Sequence, residues 1–457
     1  MISKLKNFYW KLITWIRMLK NWHFPALFEY AKVQYSILFN TQRCTKASER
    51  SLLVLAWEFA PDVRGSVYRP ISWTKYAASA NWKVNVLCSE VPSITSAAGI
   101  YLESSIPLEV GIHRVADRSK GPHPWLLPRV DGELRNALAV FKTAQALMKI
   151  NQPGVLLASG PPFHNFLVAT WLAKQYDWPL VLDYRDEWTE SPFTRGFVLK
   201  DQANSRLEKY CLRQADLVIF TTESQRMHAI QTFPKLDQAK CIVVTNGWDP
   251  SDFAIAQSTP ISGLTRDAES TITIAYLGNL GPMADPQPFL DTLSKILDSS
   301  PRLREQIKFQ CIGLKSPDSM AKLSVFKYQE NLQLIEHLPK QYGCQAMQSV
   351  DLLLILNPPT IHRYIQGKLY EYIASGTPVL VFGRGGEMAD IVSSLDAGII
   401  VDDKVENELA HVLNNFNSQI RPRNSAKIDQ WLKSRQRNVL ALSMFEHLDK
   451  LIKSYKN

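Results

Sequence analysis

From residue 51 onward, short apolar runs alternate with longer segments whose apolar positions recur every three to four residues, the pattern of strands alternating with helices. The runs have strand length, and most lack polar alternation, which marks strands covered on both faces, as in a parallel sheet. Runs at 51–56 (SLLVLA), 83–88 (KVNVLC), 154–159 (GVLLAS), 179–183 (PLVLD), 217–221 (LVIFT) and 242–244 (IVV) form a first set. A second set lies at 272–277 (ITIAYL), 309–313 (FQCIG), 332–335 (LQLI), 352–356 (LLLIL), 379–382 (VLVF) and 398–401 (GIIV). Between the sets, 250–270 is polar and without a strong period, which places a hinge there. The pattern predicts an α/β chain with strand–helix domains at 51–255 and 270–425 and a basic helical tail at 426–457.

The stretch 366–386, QGKLYEYIASGTPVLVFGRGG, organises the second set. It reads as a short helix from Gly367 to Ser375, a stop at Gly376, and a buried strand after Pro378. Lys368, Glu371 and Ser375 recur at i, i+3 and i+7, which puts a cation, a carboxylate and a hydroxyl along one helix face. Leu369 and Ile373 turn inward. A polar helix face beside the end of a parallel strand is a usual ligand position in α/β folds, although a surface helix with a Lys–Glu pair has the same residues.

Charge changes the picture mainly at the start of the chain. The formal net charge is +9, and residues 1–50 hold nine Lys/Arg against two acidic residues. The rest is close to neutral, which argues against a nucleic-acid-binding body, since that needs basic stripes across the fold. Within 1–50, Phe8, Tyr9, Trp10, Trp15, Trp22 and Phe24 interleave with Lys4, Lys6, Lys11, Arg17 and Lys20. No cleavable signal core forms there, and no apolar run approaches the ~20 residues that span a bilayer. Residues 1–42 have the composition of a helix lying on an anionic membrane surface; docking on the chain's own fold or on a second subunit is the competing reading. The six cysteines (44, 88, 211, 241, 311 and 344) are scattered, with neither C-x-x-C nor zinc spacing, which points to a reduced, cytoplasmic setting.

Other candidate chemistry sits at predicted strand exits. Gly65-Ser66 opens a helix whose backbone N–H groups can meet an anion, with Arg69 one turn on. His164 lies where the run 154–159 gives way to a helix. Asp183, Arg185 and Asp186 cluster in DYRDEWT after the run 179–183, where the carboxylates can accept from sugar hydroxyls and the arginine can orient them; an ion-paired bracing loop is the alternative. Asn246-Gly247 suits a tight turn, and Gly278 and Gly281 allow close approach to a phosphate.

Taken together, the motifs at 183–189, 246–249 and 366–386 resemble the retaining GT-B glycosyltransferases related to glycogen synthase and the bacterial mannosyltransferases, a family 4-like group with a surface-polysaccharide branch. The resemblance covers roughly 51–450. It implies a GT-B fold, two facing Rossmann-like domains with an interdomain cleft, and a closing tail helix that returns to the first domain. It assigns Glu371 to the ribose hydroxyls of a sugar nucleotide, a task suited to a group that only accepts. The family's second glutamate, eight positions earlier, is here Arg363. The loop after 272–277 also lacks the family's arginine and lysine, so Lys368, with Arg363 behind it, is the candidate cation for the diphosphate. The implied donor side comprises Gly65, Ser66, Arg69, Gly278, Asn279, Arg363, Lys368, Leu369, Glu371, Gly385, Gly386 and Glu387. The implied reacting side comprises His164, Asp183, Arg185 and Asp186. The implied activity is metal-independent transfer of a sugar, with retention, from a nucleotide sugar to a hydroxyl of a glycan or lipid-linked acceptor in surface polysaccharide synthesis. The nucleotide sugar is substrate, and no resident cofactor is implied. A cytoplasmic enzyme held at the inner face of the membrane fits this reading. A sugar-nucleotide epimerase or hydrolase on the same fold, or a non-catalytic binding subunit, are the alternatives.

Overall fold

The computed structural model describes residues 49–91, 96–117, 128–150, 154–193, 198–254, 271–281, 283–405, 407–416 and 425–456. The membrane segment expected at 1–42 and most of the expected hinge lie outside them.

The six runs of the first apolar set, joined by one further strand, form a parallel sheet of seven: β1 (Ser51–Ala56), β2 (Lys83–Ser89), β3 (Gly111–Val115), β4 (Val155–Gly160), β5 (Leu180–Tyr184), β6 (Leu217–Phe220) and β7 (Cys241–Val243). Their order is β3-β2-β1-β4-β5-β6-β7. The second set forms a parallel sheet of six: β8 (Ile272–Leu277), β9 (Ile307–Ile312), β10 (Leu332–Ile335), β11 (Leu352–Leu356), β12 (Val379–Phe382) and β13 (Gly398–Val401), in the order β10-β9-β8-β11-β12-β13. Each sheet runs outward from its first strand and then restarts on that strand's other side. The crevices this leaves, between β1 and β4 and between β8 and β11, are where open α/β sheets bind ligands. Strand β3 is absent from the apolar pattern because it is an edge strand that carries His113 and Arg114 and is only half buried. The helices at Ala97–Ser104 and Pro128–Ile150 also fall in the region where the pattern predicts no element.

Seven helices position the site: α1 (Tyr68–Ala77), α2 (His164–Tyr176), α3 (Glu223–Thr232), α4 (Lys340–Gln348), α5 (Gly367–Ser375), α6 (Gly386–Ser394) and α7 (Arg437–Lys456). The tail divides between the domains. Its first helix, Ser425–Ser434, places Ile428 and Leu432 in the second core, and Trp431 stacks on Tyr370. Only α7 crosses back: Ala441, Met444, Phe445, Leu448 and Ile452 recur at helical spacing and join Val54, Trp73 and Val86 in the first core. Among the described residues no helix is long and apolar enough to cross a membrane.

Candidate functional site

Between the two sheets lies a cleft of about 640 Å³ whose walls come from both domains. On the second-domain side, α5 is ordered by its buried face. Leu369 and Ile373 lie in the core, and Gly376 ends the helix in the left-handed region at φ 85°. The opposite face then presents Lys368 and Glu371 to the cleft. Ser375 does not follow them, because its hydroxyl donates to the Tyr372 carbonyl at the helix end. Leu369, placed among donor contacts by the resemblance, is fully buried core and cannot touch a ligand in the cleft.

Lys368 is the most unusual group in this wall. Its Nζ has no hydrogen-bond partner and sits 3.5 Å from the centre of the Tyr276 ring. Tyr276 in turn donates through its hydroxyl to the Asn279 carbonyl and so shapes the loop after β8. Gly278, at φ +121°, lines the cleft beside Lys368; a Cβ there would lie 3.3 Å from Nζ. Burial lowers the Lys368 pKa to about 7, against a weaker opposing pull from Glu371. A cation over an aromatic face, desolvated and unpaired, is a site prepared for an anion.

Glu371 has two partners that the sequence did not bring forward. Lys340, at the start of α4, and Arg437, at the start of α7, both donate to Oε1, Arg437 from 3.0 Å. Burial alone would raise the Glu371 pKa; the two cations override it and hold the carboxyl below its ordinary value. Tyr68 lies under both cations, 4.6 Å from Lys340 Nζ and 5.1 Å from the Arg437 guanidinium. Sequence offers no local signal for this group, since 66 residues separate Glu371 from Arg437.

The first-domain wall carries Gly65, Ser66, Arg69, Arg185 and Asp186. Parallel register sets Ser159 at the end of β4 beside Asp183 at the end of β5. Asp183 is completely buried and saturated. Ser159 Oγ donates to it at 2.7 Å, and Arg69 donates through Nε at 3.0 Å and Nη2 at 2.8 Å. It therefore does not line the cleft, and its role is to aim Arg69, whose Nη1 also donates to the Thr245 carbonyl at 3.0 Å. Arg185 braces two loops, donating to the Ser66 carbonyl at 2.6 Å and to the Pro161 carbonyl. Its Nε and Ser66 Oγ are left without partners. Asp186 faces the cleft with no hydrogen bond to its carboxylate among the described residues. Burial raises its pKa to about 6, against the opposing charge of Arg185.

Five other expected residues lie away from the cleft. His164, at the start of α2, packs edge to face on Trp57 at 5.0 Å, and burial lowers its pKa to about 4. Arg363 forms a two-point ion pair across the domains, with both bonds to Glu187 at 2.7 Å. Tyr364 donates to the same carboxylate, and Thr222 donates to the Arg363 carbonyl. The guanidinium is thereby spent on Glu187 and does not back Lys368. Glu387, at the start of α6, accepts from the Ser224 backbone in α3 at 2.9 Å, a second tie between the domains. Gly385 and Gly386 fold against His362, which a Cβ on Gly386 would strike at 2.6 Å. Arg363→Met is therefore expected to destabilise the protein by about 1 kcal/mol, as a partly exposed pair does, and to leave donor affinity within about threefold. Chemical denaturation and ligand titration check both parts; a tenfold loss of affinity would return Arg363 to the donor site.

Comparison with known proteins bears on this geometry. Residues 72–247 match the family model of the glycosyl transferase 4-like domain. Over 255 residues the chain is 19% identical to D-inositol 3-phosphate glycosyltransferase of Geodermatophilus obscurus, an alignment covering 51% of this chain and 55% of that protein. The chain thus spans about half the length of the curated relative it matches. Sucrose-phosphate synthase from Thermosynechococcus elongatus superposes with a TM-score of 0.65 at 14% identity, over 89% of this chain and 100% of that one. Anabaena HepE, solved in complex with UDP-glucose, superposes with a TM-score of 0.62 at 16% identity, over 88% of this chain and 99% of that one. The fold is GT-B, with a glycosyl transferase 4-like match in its first domain.

Proposed function

We propose that this protein is a glycosyltransferase that takes a sugar from a nucleotide donor bound across the cleft and gives it to an acceptor hydroxyl. The observation that carries this reading is Lys368, a buried ammonium without a partner, one helical turn from Glu371 and beside the Gly278 loop. The spacing fits a nucleoside diphosphate, with the pentose at Glu371 and the diphosphate at Lys368. The UDP-glucose held by HepE and the family match in the first domain support a nucleotide sugar as substrate.

In the proposed reaction the bond from the sugar's anomeric carbon to the diphosphate breaks, and the acceptor oxygen bonds to that carbon. The acceptor proton passes to the departing phosphate oxygen. Attack on the same face retains configuration, as the family resemblance implies. Lys368 stabilises the charge that grows on the leaving diphosphate, and Gly278, which carries no side chain, lets it approach closely. Asp186, on the opposite wall, accepts from a sugar or acceptor hydroxyl, and Arg185 fixes the loop that presents it. No metal is needed for charge compensation in this scheme.

The proposed acceptor is a growing surface glycan on a lipid carrier, with residues 1–42 resting on the inner face of the membrane. The 457-residue chain is then expected to float with anionic vesicles, and Trp10→Ser/Trp15→Ser/Trp22→Ser to stay in solution; equal flotation removes the anchor. The activity is tested by turnover of labelled nucleotide sugars with and without lipid-linked acceptor. Transfer that requires acceptor supports the proposal. Equal release of sugar without acceptor points to hydrolysis, and binding without turnover points to a non-catalytic nucleotide-sugar-binding subunit.

A further inference from the structure

The Glu371 cluster holds more charge than a nucleotide contact requires. Glu371 Oε1 receives both Lys340 and Arg437, and the other arm of Arg437 reaches Asp252 at 3.3 Å. A carboxylate oxygen has two acceptor sites, so Oε1 is filled. No bond falls on Oε2 among the described residues, and Glu371 lines the cleft. Burying ions in this way costs desolvation that an apolar packing would avoid. The cluster also joins four separated parts of the chain: α1 through Tyr68, the 249–254 segment through Asp252, α4 through Lys340 and α7 through Arg437. Because α7 packs on the first core, the first domain reaches the second domain's carboxylate through this one arginine.

We infer that Arg437 and Lys340 are positioning residues, which pin Glu371 through Oε1 so that Oε2 meets the pentose 2′-hydroxyl, and that they thereby set a preference for ribose over 2′-deoxyribose nucleotides. The inference rests on the nucleotide-donor reading. When either cation is lost, Oε1 is held from one side only, so Glu371 turns among rotamers and its burial works toward the neutral acid, a poorer acceptor. The ribose preference then disappears even though Glu371 is intact.

The test is calorimetric titration of the full chain with UDP, GDP, ADP and CDP and with the 2′-deoxy form of each. For the base that binds, wild type is expected to favour the ribose form by roughly tenfold or more, the usual worth of a hydrogen bond to a charged group. Arg437→Met is expected to bring the ratio below about threefold, and Arg437→Lys to restore part of it. Should Arg437→Met not fold, Lys340→Met provides the same comparison. A ratio that survives in the Met variant while both forms weaken equally would show a merely structural role and overturn the inference. Equal binding of ribose and deoxyribose forms by wild type would overturn it too. If wild type binds none of the four ribonucleotides, the donor reading itself fails.

Discussion

Lys368→Met is expected to lower kcat by roughly 10²–10³-fold while leaving a folded protein, the usual cost of removing one preorganised donor to a developing anion. The expectation follows from the surroundings of Nζ. No protein carboxylate neutralises Lys368 directly, so its charge is available to a ligand. Folding does not depend on that charge. The folded-state pKa is about 7, below the unfolded value, so the unfolded chain binds the extra proton between about pH 7 and pH 10. Wild-type stability should therefore rise with pH across that window, and the Met variant should lose this slope and be at least as stable at pH 7. Steady-state kinetics and thermal melts at pH 7 and 9 check the two parts together. A variant with kcat within threefold of wild type would remove Lys368 from the mechanism.

Asp183→Ala is expected to destabilise the first domain by about 3–5 kcal/mol, the range for breaking a buried ion pair from one side. The loss would strand Arg69, whose side chain is 5% exposed, and deprive Ser159 of its acceptor. Denaturant unfolding measures it directly. A loss below 1 kcal/mol would mean that Arg69 finds compensation, and would reopen direct sugar contact by Asp183. The prediction separates two readings of the D-x-R-D-x-W-T motif. In the structure most of its charges hold the wall together, with Asp183 aiming Arg69, Arg185 tying two loops and Glu187 clamping Arg363. Asp186 is left facing the cleft.

The residues that sequence placed correctly are those whose geometry is local. Spacing along α5 puts Lys368 and Glu371 on one face, and Gly376 marks the helix end, because both follow from helical period and left-handed backbone. The paired sheets follow from runs covered on both faces. What escaped depends on partners distant in sequence. Nothing near Arg363 signals Glu187, 176 residues away, and nothing near Glu387 signals the α3 backbone. The sequence also offers no reason to pair Glu371 with Arg437, because a basic tail helix expected to return to the first domain does not single out which of its cations meets the second. Strand β3 escaped because an edge strand needs no continuous apolar run.

Calorimetry at pH 8 in buffers of different ionisation enthalpy shows whether a nucleotide sugar's diphosphate meets Lys368 inside the cleft. The diphosphate of a nucleotide sugar carries no proton to exchange at that pH, whereas Lys368, with a pKa of about 7, is mostly neutral until an anion arrives. Binding of UDP-glucose, or of whichever nucleotide sugar binds tightest in a panel, should take up about one proton per site in wild type and none in Lys368→Met. Tight binding with the same proton count in both proteins would contradict the account.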